Sequence, residues 1–453
     1  MTAYILTLKL KILLKEKSDV LKILALCNQS EAIEILKTIK ADKYLFLCPV
    51  KIRQSQLPKG FKIGKNVTSY SHRAMKKGLY FPKINWNDIE PLSGDLIERM
   101  SICQIETMRM VERIGKSVSG TYTSRLNYYY NNLRYWNHII KKEKIDVFYR
   151  CAPPHEGYDN VIAYLCKEHN VTTFYSNPFH TFKNKYRYFA KDVKNNFPDF
   201  YLQNIKDEIN PDLIDLLNVH WEKKRPTVPP VVIPAKKLKI QKRYLTLKKP
   251  ILAYYQKKCS IVNYNQKYIY FPLHFQYEAT TCPMGGPFVD QFLAIELLSC
   301  LNIPIYVKEH PRISKNRSIG YYERILKIKN VKLISQKEDN YKLIDNSFFV
   351  ANITGTAGWE AVLRGKPSIV FGYIFYQKAP GVFQIKNKES LNNAIEKINY
   401  FVPDKTDIEN FLRKLQNYLF IHTTKDIILA LKKEIDKLES PIDNKEWSEF
   451  DGL

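Results

Sequence analysis

Short apolar runs alternate with amphipathic segments at the start of the chain. An apolar run at 21–30 ends in turn-forming residues, apolar positions at helical spacing follow at 31–40, and a second apolar run occupies 43–50. Short apolar runs bounded by turn formers are typical of buried strands, whereas a period near 3.6 indicates a helix. The pattern therefore predicts a strand–helix–strand unit over residues 21–50.

A second unit of this kind follows a helical stretch. Apolar spacing predicts long helices over 88–143, a strand at 145–150, a helix at 160–169 and a strand at 171–176. The polar segment PPHEGYD, residues 153–159, then falls at the carboxyl end of a predicted strand. Polar residues at that position are candidates for chemistry.

The second half of the chain alternates again. We predict strands at 268–273, 303–308, 331–335, 347–352 and 367–372, with helices near 288–300, 318–328 and 356–364. Such alternation predicts parallel, doubly wound sheets. We therefore expect an α/β protein with two Rossmann-like domains facing a central cleft.

Four regions follow from this pattern. They are an N-terminal Rossmann-like domain (1–200), a basic, proline-containing connecting region (201–265), a C-terminal Rossmann-like domain (266–400), and C-terminal helices with a polar tail (401–453). A chain of 453 residues is long enough for such cores.

The charge balance favours anionic partners. Lys and Arg number 71 against 45 Asp and Glu, a formal net charge of +26, which suits nucleic acid, anionic lipid or an acidic substrate. An AT-rich genome that inflates Lys, Asn, Ile and Tyr explains the same balance. Since the sequence has no RNP-like aromatics, zinc motif or helix-turn-helix signature, we expect no nucleic-acid partner. Lysine-rich segments at 9–17 and 236–249 predict peripheral contact with an anionic membrane surface.

The cysteines and the apolar runs suggest the compartment. The eight cysteines contain no CxxC pair, which argues for a reducing environment with neither zinc nor a disulfide framework. The basic N-terminus lacks a cleavage site for a signal peptide, and no apolar run of about 18 residues predicts a transmembrane helix. The expected location is cytoplasmic, on the inner face of the cell membrane.

Three predicted strands of the second half end in polar, turn-rich segments, at 271–286, 307–312 and 354–360. Ligands of open α/β sheets bind beyond the carboxyl ends of the strands. We therefore expect these three segments to meet at one ligand site.

The segment TGTAGWE, 354–360, raises the question of why a chain with 16 glycines places Gly355 between two threonines where a helix begins. Backbone N–H groups at a helix start suit a phosphate. In this interpretation Thr356 caps the helix, and Glu360, one position too far for a capping box, accepts ribose hydroxyls. An ordinary capped helix with a solvated Glu360 is the alternative.

The segment KEHPR offers Lys308, His310 and Arg312 at alternating positions, on one side of the chain, with Pro311 bending the path. Cationic and donor groups at such an edge suit a phosphate. A solvated basic turn is the alternative.

The segment PPHEGYD supplies His155, Glu156 and Asp159. A carboxylate or imidazole facing the cleft could act as general base or nucleophile. The alternative is that these residues only cap the following helix.

Several catalytic signatures do not occur in the sequence. It contains no GxxxxGK[ST], HExxH or GxSxG, so P-loop, zincin and serine-hydrolase chemistries have no support. It also contains no DxD flanked by strand residues, which weakens a metal-dependent sugar-nucleotide mechanism. We expect neither a metal nor a cofactor.

Three ordered motifs in residues 265–375 resemble the capsular polysaccharide biosynthesis protein family, bacterial GT-B glycosyltransferases related to capsule Kdo transferases; residues 153–171 add a weaker match. The resemblance implies a GT-B-like fold and a nucleotide-sugar donor, typically a CMP-sugar, which is a substrate rather than a cofactor. His310 and Pro311 correspond to the His-Pro motif that holds the donor phosphate. The full donor-binding set that we expect is Lys308, His310, Pro311, Arg312, Thr354, Gly355, Thr356, Glu360, His274 and Gln276.

The HEG sequence at 155–157 is similar to the acidic-acidic-Gly motif of bacterial sialyltransferases, whose carboxylate is the base. Because the first position here is His155, only Glu156 carries over. We predict Glu156 as the catalytic carboxylate, with His155 and Asp159 in support and His274 or Glu278 next in line.

The resulting leading hypothesis is a glycosyltransferase acting on a glycan or glycolipid acceptor of a bacterial surface polysaccharide. A CDP-glycerol or CDP-ribitol phosphotransferase, which also uses a His-Pro segment in a GT-B fold, is a second enzyme class. A basic polyanion-binding or export factor is the non-enzymatic alternative.

Overall fold

Two sheets organise the protein. The computed structural model describes residues 21–49, 51–114, 120–179, 186–192, 194, 197, 200–226, 249–276, 278–311 and 317–439. The strands of the first sheet are β1 (Lys22–Leu26), β2 (Lys43–Cys48), β3 (Val67–Ser71), β4 (Val147–Arg150), β5 (Thr172–Phe179), β6 (Tyr186–Ala190) and β13 (Phe420–Ile421). Their order is β13-β6-β5-β4-β1-β2-β3, parallel from β5 to β3, with β6 antiparallel to its neighbours.

The second sheet is wholly parallel. Its strands are β7 (Ile269–Pro272), β8 (Ile305–Lys308), β9 (Val331–Ile334), β10 (Phe349–Asn352), β11 (Ser368–Val370) and β12 (Val382–Gln384). They run in the order β9-β8-β7-β10-β11-β12, so the winding direction reverses between β7 and β10. This is the strand order of dinucleotide-binding folds. The predicted α/β class with two Rossmann-like domains is confirmed.

Helices cover both sheets. The first half contains α1 (Gln29–Thr38), α2 (His72–Lys76), α3 (Gly94–Arg99), α4 (Ser101–Ile114), α5 (Tyr122–Glu143), α6 (Tyr158–Glu168) and α7 (Pro211–Trp221). The second half contains α8 (Lys249–Lys257), α9 (Gln291–Ser299), α10 (Ile319–Leu326), α11 (Asn340–Asn346), α12 (Thr356–Leu363), α13 (Lys388–Asn399), α14 (Lys405–Leu415) and α15 (Thr424–Glu439).

The parallel strands are buried on both faces, which is why they read as continuous apolar runs. In β1, for example, Ile23 and Leu24 are both fully buried but belong to different hydrophobic clusters. An aromatic contact joins the two domains, because Phe179 of β5 packs on Phe375 with ring centroids 4.9 Å apart, and Phe375 packs on Trp359 at 5.3 Å. Burial of these rings holds the two sheets beside one another.

The sequence pattern missed several elements, among them β3, β6, β12, β13 and α11. Strand β3 has the sequence VTSYS and is fully buried only at Val67, so its apolar signal is weak. The two-residue strand β13 and the helix α15 return to the first domain, where Ile428 of α15 joins the cluster of Ile35 on α1. Contacts so distant in sequence leave no local pattern.

Two further predictions meet the structure only in part. All eight cysteines are free. In the described part of the chain, no helix is long and apolar enough to cross a membrane. Arg312, the segment 9–17 and nearly all of 236–249 lie outside the described residues, so the membrane contact stays a prediction.

Candidate functional site

The reversal of strand order between β7 and β10 brings two of the predicted segments together. His274 follows β7, Thr354 follows β10, and the Thr354 N–H donates to His274 Nε2 at 3.4 Å. The imidazole lies against Gly355, where an added Cβ would be 3.0 Å from Nε2. Gly355 has an ordinary φ of −81°. The residue is therefore glycine because the His274 ring approaches it closely, and not because of backbone conformation.

His274 is a neutral hydrogen-bond donor in this crevice. Burial lowers its pKa to about 3, and the positive charges of His310 and Arg317 add to the effect. Because Nε2 accepts the Thr354 N–H, the ring proton resides on Nδ1. A neutral ring with Nδ1–H can donate to an anionic ligand at neutral pH.

The start of α12 is open to a ligand. Gly355 is the N-cap residue and no side chain caps the helix, so the prediction that Thr356 caps it is wrong. Thr356 is the first helical residue and is exposed. The Thr354 hydroxyl donates to the Thr280 carbonyl at 2.5 Å and is thus engaged within the protein. The N–H groups of the first turn, together with the helix dipole, suit an anion.

Glu360, one turn further along α12, is half-buried. Burial raises its pKa to about 7, and the charge of Arg364 only partly offsets this. Arg364 is committed to Asp345 through hydrogen bonds of 2.7 and 2.5 Å. Among the described residues none donates a hydrogen bond to the Glu360 carboxylate, so its oxygens are open to solvent or to ligand hydroxyls.

The His-Pro segment lies at the same edge. The His310 ring is 5.6 Å from the Phe275 ring, and its backbone is fixed by the Glu309 carboxylate and by Gln336. Pro311 is exposed. The three predicted segments therefore lie together. His274 of segment 271–286 contacts Gly355 of segment 354–360, and Phe275 contacts His310 of segment 307–312.

The side chain of Lys308 is not placed at the predicted phosphate site. Its side chain is buried, and Nζ donates to the Glu338 carbonyl at 2.6 Å and to Asn340 Oδ1 at 2.5 Å. The prediction that Lys308 reaches a phosphate does not fit this arrangement, because its hydrogen bonds bind it to the loop after β9 and to the first residue of α11. The loss of this lysine would act through that loop.

Sequence reasoning missed a buried ion pair beneath the site. Arg317 and Glu309 are both buried, with Nε 3.0 Å from Oε2. Arg317 also donates to Gln276 Oε1 at 2.7 Å and to the His274 carbonyl at 3.2 Å. Gln276, expected at the donor, is therefore a structural contact. Glu309 stands inside the KEHPR motif, but its partner eight positions later carries no sequence signal.

In the first domain, the loop 151–157 after β4 is held by a buried pair. Asp159 is fully buried, forms an ion pair with Arg150, and accepts the N–H groups of His155 at 3.0 Å and Glu156 at 2.7 Å. Gly157 has a φ of +83°, which a side chain would strain. Asp159 cannot serve as the supporting base that we predicted, because all its contacts shape the loop.

Glu156 lies between two basic groups. It forms an ion pair with Lys76, and its Oε1 is 3.4 Å from His155 Nε2. Burial opposes ionisation of Glu156, but the hydrogen bonds and charges of His155 and Lys76 outweigh burial and hold its pKa far below the usual range. His155 Nδ1 contacts the Pro153 carbonyl at 2.6 Å. The carboxylate is therefore ionised and oriented.

Two residues of this edge were missed, His72 and Lys76 on the short helix α2. The His72 Nδ1 lies 2.5 Å from the hydroxyl oxygen of Tyr158. The only sequence signal was the basic cluster HRAMKK, which follows a strand that the apolar pattern did not reveal. Over the described ranges, no three His, Cys, Asp or Glu side chains come together as a possible metal site.

The fold and these two edges define a two-domain α/β protein with a candidate anion site at the second domain. Residues 285–402 match the model of a family described as capsule polysaccharide biosynthesis protein. The matched segment includes His310, Gly355 and Glu360. The resemblance drawn from the motifs is confirmed over this segment.

Solved structures with a similar arrangement show low identity. The β-Kdo 2,7-transferase KpsC of Thermosulfurimonas dismutans is 12% identical over 74% of this chain and 96% of its own, with a TM-score of 0.33. The β-Kdo 2,4-transferase KpsC of the same organism is 13% identical over 65% and 88%, with a TM-score of 0.35. UDP-GlcNAc 2-epimerase of Methanocaldococcus jannaschii is 13% identical over 88% and 100%, with a TM-score of 0.26. At these TM-scores none of the likenesses bears on activity. No curated protein matches the chain.

Proposed function

We propose that the protein is a GT-B glycosyltransferase of capsule polysaccharide synthesis that uses a nucleotide-activated sugar. The observation that carries this proposal is the crevice between β7 and β10. There a neutral His274, the start of α12 and the Glu360 carboxylate, to which no described residue donates a hydrogen bond, lie at the switch point of a dinucleotide-type sheet.

In this proposal the donor phosphate binds at Gly355 and Thr356, with His274 Nδ1–H and His310 beside it. Charge-assisted hydrogen bonds and the helix dipole stabilise the phosphate that leaves with the nucleotide. The ribose hydroxyls donate to Glu360, whose carboxylate must be ionised to accept both. A CMP-sugar is the donor class that the family resemblance supports.

The first domain supplies the acceptor side. The acceptor oxygen forms a bond to the anomeric carbon, the bond from that carbon to the phosphate oxygen breaks, and the nucleotide leaves with the electron pair. We propose that the acceptor proton passes to Glu156. Since an attacking hydroxyl becomes strongly acidic as its new bond forms, an ionised carboxylate of low basicity is a sufficient acceptor.

The test is a transfer assay with CMP-Kdo, a CMP-nonulosonate and CDP-glycerol as donors, read by product mass. The proposal expects free CMP together with a glycosylated or hydrolysed sugar from a CMP-sugar. Release of CMP from CDP-glycerol alone, with a phosphoglycerol product, would assign the protein to the polyol phosphotransferases. No turnover of any donor, with saturable polyanion binding, would assign it to the non-enzymatic class.

A further inference from the structure

Helix α2 presents two basic side chains to the acceptor edge. His72 and Lys76 are four residues apart and therefore lie on one face of the helix. Lys76 pairs with Glu156, and His72 contacts Tyr158, the first residue of α6. Strand β3 runs parallel to β2, so the carboxyl end that bears α2 lies on the same edge as the loop after β4.

Tyr158 fixes the tautomer of His72. The Tyr158 side chain is fully buried, and its hydroxyl proton needs an acceptor. Across the described residues, His72 Nδ1 is the only acceptor within hydrogen-bond distance of that hydroxyl, at 2.5 Å. The neutral ring therefore carries its own proton on Nε2. Protonation of Nδ1 would deprive the tyrosine of its acceptor.

The Nε2–H group of His72 remains without an acceptor in the described part of the chain, and the side chain is half-buried rather than solvated. Burial lowers the pKa of His72 and the charges of Arg150 and Lys76 add to this, against the opposing charges of Glu156 and Asp159. The neutral form with one outward donor is thus the form present at neutral pH.

The charges that act on the His72 ring are paired within the protein. They are the cations Arg150 and Lys76 and the anions Glu156 and Asp159, and Arg150 pairs with Asp159 as Lys76 does with Glu156. Arg73 on α2 and Lys77 at its end add two further cations to this short helix. An oxygen anion that approached the edge would meet the His72 donor and the Lys76 ammonium.

We propose that His72 Nε2–H and Lys76 bind the carboxylate of an acidic sugar in the acceptor, with Tyr158 as the positioning residue that fixes the His72 ring. The proposal rests on the proposed function, since it is the acceptor glycan that approaches this edge. It goes beyond that function by assigning the acceptor a chemical class, a uronic or other sugar acid.

Histidine-selective ¹⁵N NMR on the full chain, titrated with D-glucuronate and with D-glucose as probes, tests the proposal. We expect His72 as the Nε2–H tautomer, a saturable shift of its signals with glucuronate, and no shift with glucose. In Tyr158→Phe, His72 should become a mixture of its two neutral tautomers. An Nδ1–H tautomer in the wild type, an equal response to both sugars, or no response overturns the proposal.

Two substitutions of His72 form a matched pair. His72→Gln keeps an amide donor near the Nε2 position, whereas His72→Asn keeps one near Nδ1 only. Glucuronate affinity should fall roughly tenfold or more in His72→Asn and stay near wild type in His72→Gln. Equal affinity in both variants overturns the proposal.

CMP titration of the same variants separates this proposal from the proposed function. CMP should bind both variants as it binds wild type, because the nucleotide crevice is on the other domain. If CMP fails to bind even the wild type, the proposed function fails, whatever glucuronate does. If CMP binds normally and glucuronate does not, only the acceptor-site proposal fails.

Discussion

The carboxyl edges of the two sheets differ in how their charged groups are paired. At the first edge both carboxylates have partners within the protein: Asp159 pairs with Arg150, and Glu156 lies between Lys76 and His155. At the second edge the groups nearest the switch point lack one, since α12 begins uncapped and Glu360 receives no hydrogen bond from the described residues. Carboxylates that are paired within the protein are held in fixed positions, whereas a carboxylate and a helix start without such partners suit the hydroxyl groups and the charge of a ligand.

The difference between the two edges appears in the pKa shifts of two carboxyl groups. The pKa of Glu156 is held far below its usual range by neighbouring cations, and the pKa of Glu360 is raised to about 7 by burial. The first group is therefore ionised at neutral pH, whereas the second is only partly ionised there, and ligand hydroxyls that donate to it would favour its ionised form. The predictions below act on one edge or the other.

The largest effect is expected at Glu156. Glu156→Gln keeps shape and hydrogen bonding but removes the negative charge, so turnover should fall by about 10²–10⁴-fold with little change in CMP affinity. Steady-state transfer kinetics measure this. Glu168→Gln, which changes an acid on α6 paired with Arg99 at the surface, is the control and should leave turnover unchanged. Near-normal turnover in Glu156→Gln would show that the PPHEGYD segment only caps the start of α6.

Asp159 should matter for folding instead of chemistry. Asp159→Asn leaves the buried Arg150 without its counter-charge, which typically costs about 3–5 kcal/mol in the free energy of unfolding. Urea denaturation measures this loss. The control is Asp192→Asn, since Asp192 is 40% exposed and only 3.8 Å from Lys167, and such surface pairs contribute roughly 0–1 kcal/mol. Equal destabilisation by the two variants would show that the buried Arg150–Asp159 ion pair contributes no more than a surface pair.

The ionisation of Glu360 should make stability pH-dependent. Its pKa is about 7 in the folded protein against an ordinary 4.5, so between these values the folded state holds a proton that the unfolded state has released. Stability therefore falls as pH rises through this window. Glu360→Gln should raise the free energy of unfolding at pH 8 by about 1–3 kcal/mol and leave it unchanged at pH 4.

Thermal melts at both pH values, with the exposed Glu396→Gln as control, check this prediction. An effect of Glu360→Gln that is the same at pH 4 and pH 8 would contradict the prediction, because it would mean that folding does not shift the pKa of this carboxyl group.

The smallest effect is expected at Gly355. Gly355→Ala would place a Cβ 3.0 Å from His274 Nε2, so the ring must shift by a few tenths of an ångström and its contact with the ligand weakens. CMP affinity should fall about tenfold, the loss of roughly one hydrogen bond. Gly94→Ala, where nothing lies within 4 Å of the added Cβ, should leave affinity unchanged. An unaltered affinity in Gly355→Ala would separate the glycine from the ligand site.

The sequence predicts the buried strands of this protein better than it predicts the contacts between side chains. Buried parallel strands such as β7, β8 and β10 were recognisable because their apolar runs are local, and their order placed three motifs at one edge. Strand β3 was not, because as the edge strand it needs few apolar residues. The helix α2 that follows it, with His72 and Lys76, was lost with it.

The roles of individual side chains depend on partners that no local pattern indicates. Asp159, predicted as a catalytic candidate, pairs with Arg150 and holds the loop, and Lys308, predicted as a phosphate ligand, donates to Glu338 and Asn340. Periodicity indicates the face of an element that a residue occupies. Which neighbour neutralises its charge is decided by tertiary packing.

The central claim is that a nucleotide binds at the second edge and ionises Glu360. Isothermal titration of the wild type and Glu360→Gln with CMP, at pH 6 and pH 8, tests it most directly. We predict saturable binding to the wild type that is tighter at pH 8, and weaker binding to Glu360→Gln that keeps only the smaller pH dependence of the CMP phosphate itself, whose second pKa is about 6. Absence of CMP binding, or equal affinities of the two proteins at both pH values, would contradict the claim.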